Sequence, residues 1–176
     1  MSASLSRGLK RAFLVVFLLG VTLSAEAVER KGFLIGFTVG GGKFDCDGCQ
    51  SSSAGAFGFH LGGSISKKVT LAAEILGVAN DEDEYSFSNV QGTALAQYWV
   101  IPRVWIGGGI GTGFNSVEIG NTTVDGDSKL ALVAAAGVEL YQGRQFVLDL
   151  RGRYGRTATE PTATSHFVVL AGFTWY

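Results

Sequence analysis

The sequence predicts an all-β chain, an eight-stranded antiparallel up-and-down β-barrel that spans a membrane, and three observations carry that prediction. Seven stretches, and an eighth at the C-terminal end, alternate apolar with small or polar residues in steps of two. The linkers between them alternate between short and long. After residue 27 no run of 18 apolar residues occurs, so no segment suits a helical span.

Each stretch justifies its own strand. In the first, Phe33, Ile35, Phe37 and Val39 share one face while Leu34, Gly36, Thr38 and Gly40 share the other. That split suits a strand with lipid on one side and a closed polar interior on the other. The second opposes Phe57, Phe59, Leu61 and Ile65 to Gly58, His60, Gly62 and Ser64. The third sets Val69, Leu71, Ala73 and Ile75 against Thr70, Ala72 and Glu74, and the fourth Val90, Ala94, Ala96 and Tyr98 against Gln91, Thr93 and Gln97. In the fifth, Val104, Ile106 and Ile110 oppose Arg103 and Gly107, Gly109 and Gly111. The sixth runs Leu130, Leu132, Ala134, Ala136, Val138 and Leu140 against Lys129 and Glu139. The seventh is the cleanest, with Phe146, Leu148, Leu150 and Tyr154 opposite Asp149, Arg151 and Arg153. The last, His166 to Tyr176, is apolar on both phases, so its outward face stays open. Lys43 breaks the pattern at a strand end, where a long side chain reaches out of the lipid.

Linker lengths give an independent argument. Ser66 to Lys68, Val100 to Pro102 and Tyr141 to Arg144 read as tight turns, whereas Asp45 to Ser53, Asn80 to Glu84, Asn115 to Asp127 and Gly155 to Ser165 read as longer polar loops. Such a meander has both ends on the short-turn side and closes into a barrel, which removes the unpaired edges a bilayer does not tolerate.

Residues 1–27 read as a cleaved secretory signal peptide. Arg7, Lys10 and Arg11 precede an apolar core from Ala12 to Leu23, and Ala25-Glu26-Ala27 forms an A-x-A cleavage site before Val28. A retained anchor is the alternative. One barrel domain, residues 28–176, remains. Without the three cations and one acid of the leader, the chain keeps 11 Lys plus Arg and 14 Asp plus Glu, a net charge of −3, so no nucleic-acid partner is expected. A soluble barrel with the faces inverted is the main competitor, but its surface would carry far more Lys and Glu than the Gly, Ala, Thr and Gln found on the non-apolar phase.

At its C-terminal end the chain reads Leu170-Ala171-Gly172-Phe173-Thr174-Trp175-Tyr176. With this aromatic end and its strand pattern, the sequence from Val28 to Tyr176 resembles the small bacterial outer-membrane β-barrels, the class of the OmpA transmembrane domain and OmpX. The resemblance implies location in the cell outer membrane, contact with membrane lipid and lipopolysaccharide, and recognition by the barrel-assembly machinery through Phe173, Trp175 and Tyr176. Thr174 stands where the family usually has a second hydrophobic residue before the terminal aromatic. Either Trp175 is the effective terminal residue or the signal is looser here. Tyr98, Trp99, Trp105 and Tyr141 cluster at two short turns and are expected to form an aromatic girdle at the lipid boundary.

The candidate functional residues are few. Glu74, Arg103, Lys129, Glu139, Asp149, Arg151 and Arg153 fall on the inward phase and are expected to form an ionic network inside a narrow barrel. Cys46 and Cys49 lie in the first long loop and are expected to form a local disulfide, free or metal-binding thiols being the alternative. Asp81-Glu82-Asp83-Glu84 and Asp125-Gly126-Asp127 make the long-loop side acidic, and no motif specifies a metal or cofactor. His60 and His166 are the two histidines; Ser64 follows His60 too far along a strand for hydrogen bonding, and Ser165 and His166 point to opposite faces. No catalytic residue is assigned. The expected function is a non-enzymatic structural or surface-interaction role, with a possible extracellular ligand bound through the loops. A narrow ion or small-solute channel, or a lipid-modifying enzyme, is the alternative.

Overall fold

The computed structural model describes residues 30–46, 51–82, 85–119, 122–125, 127–158 and 163–176, and among these it contains strands and turns but no helix. The strands are β1 (Gly32–Cys46), β2 (Ser52–Ser66), β3 (Val69–Glu82), β4 (Tyr85–Ile101), β5 (Val104–Ile119), β6 (Thr122–Asp125), β7 (Lys129–Gln142), β8 (Phe146–Thr157) and β9 (Thr164–Trp175). Eight of them form the wall. Each pairs antiparallel with its neighbour, and β1 pairs with β9, with Phe37 opposite Phe173, so the sheet closes on itself. The short β6 pairs only with the end of β5 and extends that strand as a hairpin outside the closed ring.

The alternation sets the two faces as the sequence predicts. Phe33, Ile35, Phe37 and Val39 are exposed, whereas Leu34 and Thr38 are buried in the interior. The same holds for Phe57, Phe59 and Leu61 against His60 on β2, and for Leu148, Leu150 and Tyr154 against Asp149, Arg151 and Arg153 on β8. An apolar exterior that encircles the molecule exceeds what a water-soluble monomer exposes. Its height fits a membrane. From Val104 to Phe114, β5 covers about 33 Å along the strand at about 3.3 Å per residue, or about 25 Å along the axis at about 40° tilt.

The open question of the last strand has a definite answer. On β9, Phe167, Val169 and Trp175 face out, while His166, Val168, Leu170 and Thr174 are buried. Both phases look apolar because the interior beside β9 is itself apolar in part.

The strands are longer than the sequence suggests. Asn80, Asn115 and Thr157, read as loop residues, lie within β3, β5 and β8, and β4 has 17 residues where about ten suffice to cross a bilayer. Asn and Asp lower strand propensity, but backbone pairing continues in water once neighbouring strands are held in register. Register shifts at Ser64/Ser66, Trp99/Ile101 and Glu139/Tyr141 accompany all three short turns. These bulges let two successive residues face out, as Leu140 and Tyr141 do.

Candidate functional site: the barrel interior and its ends

Buried ion pairs run through the interior. Arg153 on β8 donates from Nε to Glu74 Oε1 on β3 at 2.8 Å, reaching across the barrel. Arg151 donates from Nε and Nη2 to Asp149 on its own strand at 3.2 and 2.6 Å. At the short-turn end Arg30, which precedes β1, donates from Nε and Nη2 to Glu139 at 3.3 and 2.5 Å. Three guanidinium groups therefore oppose three carboxylates, which limits the cost of taking these charges out of water.

Four of the seven residues expected in the network do pair inside with each other: Glu74 with Arg153, and Asp149 with Arg151. Glu139 pairs too, but with Arg30, which strand patterning misses because it stands ahead of the first strand. Lys129 is a correction, and Arg103 lies at the rim. Arg103 lies half-buried on the Pro102-Arg103 turn, where its carbonyl accepts from Glu139 N at 2.8 Å. Lys129 is half-exposed at the start of β7 and enters none of these three pairs. Lys129 sits at a strand end, where water solvates a charge more cheaply than the interior does.

Trp99 and Trp105 are corrections to the girdle, because both are buried inside, only 3% and 1% exposed. Trp99 Nε1 donates to Glu139 Oε1 at 2.9 Å and its ring lies under the Arg30 guanidinium, 4.4 Å from the centroid. Arg151 sits 5.4 Å from the Trp105 ring. An indole held inside keeps a partner for its N–H and a cation for its face. Their phase was in the sequence, since Tyr98 and Ile106 beside them point outward. Room for Trp105 comes from Gly137 on the neighbouring strand, where any Cβ would lie 2.5 Å from the indole.

The outward aromatics lie elsewhere on the same rim. Tyr98 and Tyr141 are exposed, and Tyr141 meets Phe146, Phe146 meets Phe173, and Phe173 meets Phe37, each pair with ring centroids 5.4 Å apart. Trp175 joins edge-on to Phe173 at 6.3 Å. Trp175 and Phe173 thus share the outward phase. Tyr176 follows the strand and is partly buried, its N–H donating to Gln145 O at 2.8 Å. Burial, and then the Glu139 carboxylate, push its phenol above the usual tyrosine range.

Toward the long-loop end the interior changes character. Phe44, Ala54, Ala56, Leu76, Val78, Val168 and Leu170 form a buried apolar cluster, against which Phe87 packs with its ring 4.2 Å from that of Phe44. Beside it, Asn89 donates to Asn115 Oδ1 at 2.6 Å, and Gln91 donates to Thr157 Oγ1 at 3.0 Å. Inward apolar residues were not expected of a polar interior.

The histidines face inward. His166 Nε2 lies 2.7 Å from Arg153 Nη1, and His60 Nε2 lies 3.0 Å from Thr174 Oγ1. Ser64 contacts Thr70 at 3.2 Å rather than His60. The leader, Cys49 and the side chain of Cys46 lie outside the described residues, and so does the predicted disulfide.

A closed antiparallel barrel with a lipid-matched exterior and a charge-balanced interior is the class of integral outer-membrane β-barrels. The chain belongs to the outer membrane protein beta-barrel domain family, whose model matches residues 12–173, and it is an outer-membrane protein. Solved structures agree on the fold. Neisserial surface protein A is 15% identical with a TM-score of 0.68, covering 81% of this chain and 96% of its own. Ail, the attachment invasion locus protein of Yersinia pestis, is 16% identical with a TM-score of 0.61, covering 82% and 99%. Ail has also been solved in complex with the heparin analogue sucrose octasulfate. Among curated proteins none matches this sequence significantly.

Proposed function

We propose that this chain is a structural and surface-interaction barrel of the outer membrane, which holds its acidic long loops at the cell exterior and does not conduct. The observation that carries this reading is the filled interior: the apolar cluster around Phe44, Leu76 and Leu170 stands above the ion pairs. An apolar constriction resists wetting, and an eight-stranded barrel is only wide enough for its own side chains. The strands also continue beyond the apolar band, so the loops are carried clear of the lipid on paired backbone.

The same loops set the kind of partner. Asp81, Glu82, Asp83, Glu84, Asp125 and Asp127 repel polyanions. The sulfated ligand in the Ail complex therefore does not transfer, and a basic protein surface is the partner that charge favours. Lipid and lipopolysaccharide surround the belt, and Phe173 and Trp175 supply the outward aromatics of the assembly signal.

Cells displaying the chain are tested for adhesion to a polylysine surface, against a variant with these six acids changed to Asn or Gln, and the folded chain is examined in planar bilayers. The reading expects adhesion that drops in the variant, with no steady conductance. Conductance that changes on Glu139→Gln or Arg151→Gln would replace it with a channel.

A further inference from the structure

The chain enters the wall through one unusual residue. Gly32 has φ +85°, the single positive value among the described residues, and no atom lies within 4 Å of the position a Cβ would take. Glycine is therefore needed there for its backbone and not for space. The bend matters because of what precedes it. Arg30 turns under the barrel instead of continuing outward, and it is 6% exposed.

Arg30 is held by more than one ion pair. Its Nη2 donates to Pro102 O at 2.8 Å as well as to Glu139, and its guanidinium covers the Trp99 ring. Glu139 is in turn saturated, accepting from Arg30, from Trp99 Nε1 and from Gln142 Nε2. Pro102 belongs to the β4–β5 turn, Glu139 and Gln142 to β7, and Arg30 to the segment before β1. The contacts thus join three parts of one rim through a residue that lies outside every strand.

We propose that Arg30 is a removable plug, with Gly32 its hinge, that seals the short-turn mouth of the barrel against water. Backbone pairing of the wall does not depend on it, because β1 begins at Gly32. Its removal opens the mouth and leaves the ladder whole. The plug carries its charge to the buried Glu139 carboxylate, and that pairing holds it seated. The apolar cluster lies toward the other end, so unseating Arg30 is expected to hydrate the interior from the short-turn side.

The test follows the indole N–H of Trp99 by hydrogen exchange in the chain folded into detergent micelles, with the gel-mobility shift on heating as the check of folding. Arg30→Ala is expected to keep the folded band while Trp99 exchange accelerates about tenfold or more. Arg30→Lys is expected to fall between the two, and Gly32→Ala to move in the same direction as Arg30→Ala. Backbone amides of Arg151 and Arg153 stay protected. Trp99 exchange within twofold of wild type in folded Arg30→Ala would overturn the proposal, as would equal acceleration at Arg151 and Arg153. Should Arg30→Ala fail to fold, trypsin on the folded wild type decides: the bond after Arg30 resists cleavage if the plug is seated, and rapid cleavage there overturns it.

Discussion

Arg153 on β8 and Glu74 on β3 meet at 2.8 Å although 79 residues separate them, because four strand positions in either direction place β3 and β8 on opposite sides of the ring. The pair is a strut across the barrel. It fixes the diameter through a side chain that no lipid-facing residue can replace.

Removing one end of the strut leaves a buried charge. Glu74→Leu and Arg153→Met are each expected to destabilise the folded barrel by about 3–5 kcal/mol. The double variant Glu74→Leu with Arg153→Met is expected to cost less than the sum of the two. Urea unfolding in micelles, read by band mobility, measures all three, and additive losses would show that the groups do not act as a pair.

The Trp105 cradle predicts a steric effect with no change of charge. Gly137→Val places a branched side chain against the indole and is expected to cost about 1–3 kcal/mol by overpacking. Gly92→Val has nothing within 4 Å of its Cβ and is expected to change stability far less. Equal losses would contradict the placement of Trp105 inside the barrel.

Tyr176 makes stability sensitive to alkali. Its folded-state phenol titrates above the ordinary value, so its contribution is full below about pH 10 and is lost as pH rises above the unfolded value. Tyr176→Phe, which cannot ionise, is expected to lose less stability than wild type between pH 9 and 11. Identical pH profiles for the two chains would remove Tyr176 from the rim.

The C-terminal phase separates two residues that the sequence leaves tied. Trp175→Ala is expected to reduce the amount of assembled barrel in the outer membrane, because Trp175 faces out beside Phe173. Tyr176→Ala is expected to leave assembly largely intact. Quantifying the heat-modifiable band in isolated membranes checks both, and the reverse order would assign the signal to Tyr176.

Much of this was legible in the residues. Period-two alternation specifies which side of each strand meets lipid, and it alone places Glu74, Asp149, Arg151 and Arg153 inside, where they are buried. It also contained the answer for Trp99 and Trp105, whose positions beside outward Tyr98 and Ile106 fix them as inward. Compositional habit, which puts tryptophan at lipid boundaries, pointed the other way. Arg30 was invisible because a pattern of strands says nothing about a residue ahead of the first one. The apolar cluster was hidden for another reason: Val168 and Leu170 stand in the stretch that is apolar on both phases, and only closure of the ring brings them together with Leu76.

Bromine-labelled lipid provides the most direct test of the central claim that this chain is a barrel with its apolar phase in the bilayer. Lipids brominated along the acyl chain quench only tryptophans that touch them. The wild-type chain contains three tryptophans; Trp175 is half exposed on the outer face, and Trp99 and Trp105 are enclosed. Partial quenching in wild type that disappears in Trp175→Phe is the predicted result, whereas strong quenching that survives in Trp175→Phe would put Trp99 or Trp105 in the lipid and contradict the assignment of the two faces.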